Sequence, residues 1–70
     1  MMNRELSKMP IIQILLLEGR TIDEKRKLVK SLTAAVVDSL GVQPDSIRII
    51  ITEIPKYNYA KAGVLKSDKK

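Results

Sequence analysis

Between Pro10 and Gly19 the chain reads Ile-Ile-Gln-Ile-Leu-Leu-Leu-Glu. An apolar run this short, closed by Pro on one side and Gly on the other, reads as a strand rather than a helix. Successive strand side chains alternate between faces, so Ile12, Ile14 and Leu16 share one face and Ile11, Gln13, Leu15 and Leu17 the other. Both faces are largely apolar and both require cover. One can pack on a helix of the same chain; the other needs a partner. The sequence has 70 residues, with no Cys, Phe or Trp. Its core must therefore come from Ile, Leu, Val and Ala without a covalent staple, and oligomerisation is the natural way to complete it.

The next segment carries helix signals. Thr21-Ile-Asp-Glu24 matches a capping box, in which the Thr hydroxyl and the Glu carboxylate satisfy each other's backbone N–H groups. Asp23 and Glu24 also suit the positive end of a helix dipole. Leu28, Leu32, Val36 and Leu40, joined by Val29, Ala35 and Val37, follow the helical period, and Gly41 supplies a stop. The pattern predicts a helix over roughly residues 22–39. Lys25, Arg26, Lys27 and Lys30 fall on its solvated side, where Asp23 and Lys27 are spaced as an attractive pair.

Gln43-Pro-Asp-Ser46 is turn chemistry, and Ile47 to Ile54 reads as a second strand closed by Pro55. Strand, helix and strand in this order predict one parallel β-α-β unit, an α+β / α/β fold class completed by oligomerisation. Tyr57 to Gly63 reads as a loop or short hairpin, and Lys66 to Lys70 as a disordered polar tail. Residues 1–9 have no periodicity and read as a leader. The sharper alternative is that Met9 is the start and Pro10 is exposed when that Met is removed. The expected organisation is thus a leader at 1–9, a domain at 10–65 and a tail at 66–70.

Composition excludes much chemistry. His and Cys are both absent, which removes Cys/His metal sites, Ser–His pairs and thiol nucleophiles. No glycine-rich phosphate loop is present. No apolar run approaches the ~20 residues needed to cross a membrane, and no signal peptide is recognisable. A cytoplasmic, membrane-free protein is expected. The net charge is +5, but residues 10–65 hold eight Lys or Arg against six Asp or Glu. Most of the excess therefore lies at the ends, which reads as solubilising rather than as a nucleic-acid surface.

Three residues stand out as candidates. Pro10 opens the first strand and would be a base if its amine were free. Arg20, just past that strand, is a cation suited to a carboxylate. Arg48 sits among isoleucines, where a guanidinium needs a partner or a ligand anion, unless it reaches solvent from an edge strand.

Together, Pro10-Ile-x-Gln-Ile, Leu17-Glu-Gly-Arg20-Thr, Arg48-x-Ile-Ile-Thr-Glu53 and Tyr59-Ala-x-Ala-Gly63 resemble the 4-oxalocrotonate tautomerase family. The resemblance runs without gaps from Pro10 to about Leu65. It implies a cofactor-independent isomerase interconverting enol and keto forms of small unsaturated 2-hydroxy or 2-oxo acids or dicarboxylates, and a homohexamer built as a trimer of dimers. By resemblance Pro10 is the base, Arg48 grips a carboxylate and the carbonyl oxygen, Arg20 binds a distal carboxylate, and Tyr59 lines the pocket where the family more often has Phe. Metal and cofactor are not implied. Relatives that hydrate or dehalogenate acrylates use a further Arg and a Glu where this sequence has Leu17 and Lys61, so tautomerisation is favoured. If residues 1–9 stay attached, Pro10 is a tertiary amide without basicity, and a catalytically silent, carboxylate-binding or assembly protein is the alternative.

Overall fold

A computed structural model describes residues 9–69. The expected leader, apart from Met9, lies outside the described residues, as does Lys70. Strand β1 spans Ile11–Leu17, helix α1 spans Ile22–Leu40, and strand β2 spans Arg48–Ile54. The strands are parallel, with Ile11 opposite Arg48 and Leu17 opposite Ile54. A minimal hairpin follows, β3 at Ala60–Lys61 and β4 at Val64–Leu65, paired antiparallel.

Each helix boundary follows from local chemistry. The Thr21 hydroxyl accepts from the Glu24 N–H at 3.1 Å, and a Glu24 carboxylate oxygen accepts from the Thr21 N–H at 2.9 Å. Two otherwise unpaired donors of the first turn are thereby satisfied, which is the purpose of a capping box. At the other end Gly41 adopts φ 69°, ψ 27° and donates to the Val37 carbonyl at 2.9 Å. That left-handed conformation suits Gly because it has no Cβ to clash. The charged pairing differs from the expectation: Asp23 meets Arg26 at 2.7 Å rather than Lys27. A spacing of three residues places neighbours on the same helix face as readily as four does.

The alternation along the strands separates the two sheet faces. Ile12, Ile14, Leu16, Ile49 and Ile51 are half-buried on the α1 side. An ion pair between Lys25 and Glu53 at 2.5 Å ties the first turns of α1 to the end of β2 on that side. On the opposite face Ile11, Leu15 and Ile50 are 57%, 69% and 47% exposed. Among the described residues only Ile47 reaches full burial, at 9% exposure. A single copy therefore builds one half of a core and leaves the other half open.

Beyond β2 the chain is more ordered than its polarity suggests. Lys56–Asn58 and Lys66–Asp68 form short 3₁₀ turns, and the Lys66 N–H donates to the Tyr59 carbonyl at 2.8 Å. Within the stretch read from sequence as a polar tail, the Lys69 N–H closes the second of these turns by donating to the Lys66 carbonyl at 3.2 Å.

Candidate active site

The parallel register places the candidate residues at two opposite ends of the sheet. At the end where both strands begin, the Arg48 backbone N–H donates to the Pro10 carbonyl at 3.0 Å. Pro10 is half-buried, and its nitrogen is joined to Met9 in the chain. The side chain of Arg48 belongs to the open sheet face, opposite Ile11 and on the same side as Ile50. Its Nη1 donates to the Asp45 carbonyl at 2.6 Å and more weakly to the Ile47 carbonyl at 3.4 Å. Backbone carbonyls thus supply the partner that a strand-borne guanidinium requires. Both bonds use Nη1, and among the described residues Nε and Nη2 make none, so most of the guanidinium's five N–H donors remain for an anion.

At the other end, Gly19 turns the chain at φ 121° between β1 and Arg20. The guanidinium of Arg20 is exposed and meets the Glu24 carboxylate at 3.4 Å. That carboxylate titrates below its usual range, first because of the Thr21 backbone N–H and then because of the nearby Arg20 charge. Leu16, Arg20, Glu24, Lys25 and Leu28 line an open cleft of about 250 Å³ between the end of β1 and the start of α1. Tyr59 lies on the segment leaving the same end of the sheet and is 43% exposed. Glu18 anchors that segment, since its carboxylate accepts the Lys56 N–H at 3.1 Å.

Within one chain the four candidate residues therefore fall at two ends of the sheet, Pro10 and Arg48 at one and Arg20 and the Tyr59 segment at the other, as two candidate half-sites. A seven-residue strand separates them, a span of roughly 23 Å at the usual rise. No small acid reaches both ends. The sequence reading placed Glu24 in the capping box but missed its pairing with Arg20 and the contact of Glu18 with Lys56. Glu24 could have been found, because Arg20 and Glu24 are four residues apart, whereas the contact of Glu18 with Lys56 spans 38 residues and has no local signature. Among the described residues no cluster of carboxylates has metal-binding geometry, and no helix is long and apolar enough to cross a membrane.

Known proteins resemble this chain in sequence and fold. The family model described as "Tautomerase enzyme" matches residues 10–69. The chain is 49% identical over 59 residues to a probable tautomerase of Ralstonia nicotianae, covering 84% of each. It is 38% identical over 56 residues to a 2-hydroxymuconate tautomerase of Comamonas testosteroni, covering 80% of this chain and 89% of the relative. Among solved structures it is similar to a 4-oxalocrotonate tautomerase isozyme from Methylibium petroleiphilum, with TM-score 0.78, 46% identity, and coverage of 83% and 91% of the two chains. It is likewise similar to a heterohexameric 4-oxalocrotonate tautomerase from Chloroflexus aurantiacus, with TM-score 0.81, 29% identity, and coverage of 89% and 100%. A parallel β-α-β unit with a short hairpin, matched from Pro10 onward by a family model and by these relatives over most of their length, places this chain in the tautomerase family.

Proposed function

We propose that this protein is a cofactor-independent tautomerase of small unsaturated 2-hydroxy or 2-oxo acids, with the Pro10 amine as its base once Pro10 is the first residue. The observation that carries the reading is the pairing of Pro10 with Arg48 at one edge of the sheet, at the position where the family match begins. A free α-amino group ordinarily titrates near ~8. Desolvation and neighbouring guanidinium charge both disfavour its protonated form and bring it toward neutrality, where a base takes and returns protons efficiently. One proton leaves the enol oxygen for the amine, and the amine returns a proton to carbon. The product is an isomer, with no net change in atoms or oxidation. Arg48 donors aimed at the oxygen stabilise the negative charge that develops there. Arg20 holds a second carboxylate, and Tyr59 contributes to an apolar wall.

The two half-sites require a second chain. A copy running antiparallel along the free edge of β1 would bring its own Arg20 beside Pro10. Burying the open face with Ile11, Leu15 and Ile50 would then draw such dimers together, since apolar area is removed from water at about 25 cal/mol per Å². A homohexamer of three dimers fits both requirements, and the hexameric relative supports it. A domain beginning at Pro10 and ending near Leu65, preceded by a dispensable leader, belongs to the same reading, as does a cytoplasmic location.

The peptide bond from Met9 to Pro10 favours a second reading for the uncleaved form. An acylated nitrogen has no basic lone pair, leaving a silent assembly that binds small carboxylates through Arg20 and Arg48. Ketonisation of 2-hydroxymuconate, followed by ultraviolet absorbance, distinguishes the two. The form starting at Pro10 should turn over and the intact chain should not; inactivity of the Pro10-starting hexamer would reject the enzymatic reading.

A further inference from the structure

Glu24 is held between the helix cap and Arg20. One of its oxygens is fixed by the Thr21 N–H at 2.9 Å, and the other faces the Arg20 guanidinium at 3.4 Å. The carboxylate is therefore pinned by the helix cap and cannot swing away from Arg20 without breaking the capping box. Both side chains line the cleft between β1 and α1, together with Leu16, Leu28 and Lys25. The remaining cation there, Lys25, is already paired with Glu53. A ligand carboxylate approaching Arg20 thus meets a fixed negative charge beside a cation whose own charge is partly matched.

We infer that Glu24 is a specificity-determining residue that weakens the hold of Arg20 on a ligand's distal carboxylate, tilting the site away from dicarboxylates and toward monocarboxylates of similar length. This rests on the reading of Arg20 as the distal carboxylate site. Glu24 does not touch the reacting atoms and acts through Arg20. Because the group is exposed, the repulsion is screened and amounts to a modest discrimination rather than an exclusion. Apolar cleft walls at Leu16 and Leu28 suit the uncharged end of such a monocarboxylate.

The test uses the full chain, its Glu24→Gln variant and its Arg20→Ala variant. Gln retains the capping-box acceptor, so the helix start is preserved while the charge is removed. Dissociation constants are measured by calorimetry for muconate, which carries two carboxylates, and for sorbate, which has the same six-carbon diene with a methyl group at one end. Glu24→Gln should raise the preference for muconate over sorbate by about two- to fivefold at low salt, the range of an exposed charge pair. The increase should shrink as salt is added. An unchanged or lowered preference in Glu24→Gln, with Arg20→Ala still losing muconate, overturns the role of Glu24 alone. Muconate binding that is indifferent to Arg20→Ala, or absent from all three proteins, overturns the Arg20 assignment and this inference with it.

Discussion

The N–H of Arg48 is bonded to the carbonyl of Pro10 at 3.0 Å, so the candidate base and its candidate electrostatic partner are fixed to each other by the first rung of the parallel sheet. Neither residue can shift along its strand without breaking the register that places Ile11 opposite Arg48. A one-residue slip would send the guanidinium to the helix side. The sheet itself is thus part of the site.

Arg48→Ala should lower kcat of the Pro10-starting protein by about 10²–10³-fold, the usual cost of losing a donor to a developing oxyanion. Arg48→Lys should recover only part of it, because an ammonium cannot reproduce the guanidinium fork. Steady-state kinetics with 2-hydroxymuconate measures both. Equal activity in all three proteins would remove Arg48 from the chemistry.

The open face should behave as an interface. Leu15→Glu places a charge at a side chain that is 69% exposed in the single chain, so it should cost little within one copy yet oppose burial against another. Light scattering should show a smaller particle than the parent. A variant with unchanged mass would mean that this face is not where copies meet.

Thr21→Ala removes the hydroxyl that accepts the Glu24 N–H. Loss of an N-cap typically costs about 1 kcal/mol. Urea unfolding at fixed protein concentration should register a shift of that order, and Thr21→Ser should largely restore the midpoint.

Acid should loosen the same corner. The Glu24 carboxyl is lowered chiefly by the Thr21 backbone N–H, then by the Arg20 charge. A folded value below the unfolded one means that the contribution is fully present at neutral pH and above the unfolded carboxylate range. It is lost as pH falls through the folded value. Amide exchange at Thr21 and Glu24 should quicken, beyond the ordinary pH trend of free amides, across that acidic window and not between pH 6 and 8; Glu24→Gln should abolish the transition.

Lys25 and Glu53 join α1 to β2 at 2.5 Å, with the Lys side chain only 24% exposed. Their coupling in a double-mutant cycle should be up to about 1 kcal/mol, as befits a partly screened pair. A coupling of zero in the denaturation midpoints would show the contact to be incidental.

Much of this was legible in the residues themselves. Alternation across Ile11–Leu17, the capping box at Thr21 and Glu24, and the stop at Gly41 report backbone preferences that act over four or five residues, and the structure bears them out. The family resemblance carried by Leu17-Glu-Gly-Arg20 and the Arg48 strand was also visible, because it rests on residue identities in order along the chain. Tertiary structure alone decided which sheet face α1 covers, that Glu18 anchors Lys56 across 38 residues, and that Arg48 is bonded to Pro10 at the end of the sheet away from Arg20. Those relations depend on register and packing between distant segments. A linear pattern names the residues able to do chemistry, but folding sets the distances between them, and here it joins Pro10 to Arg48 across the sheet.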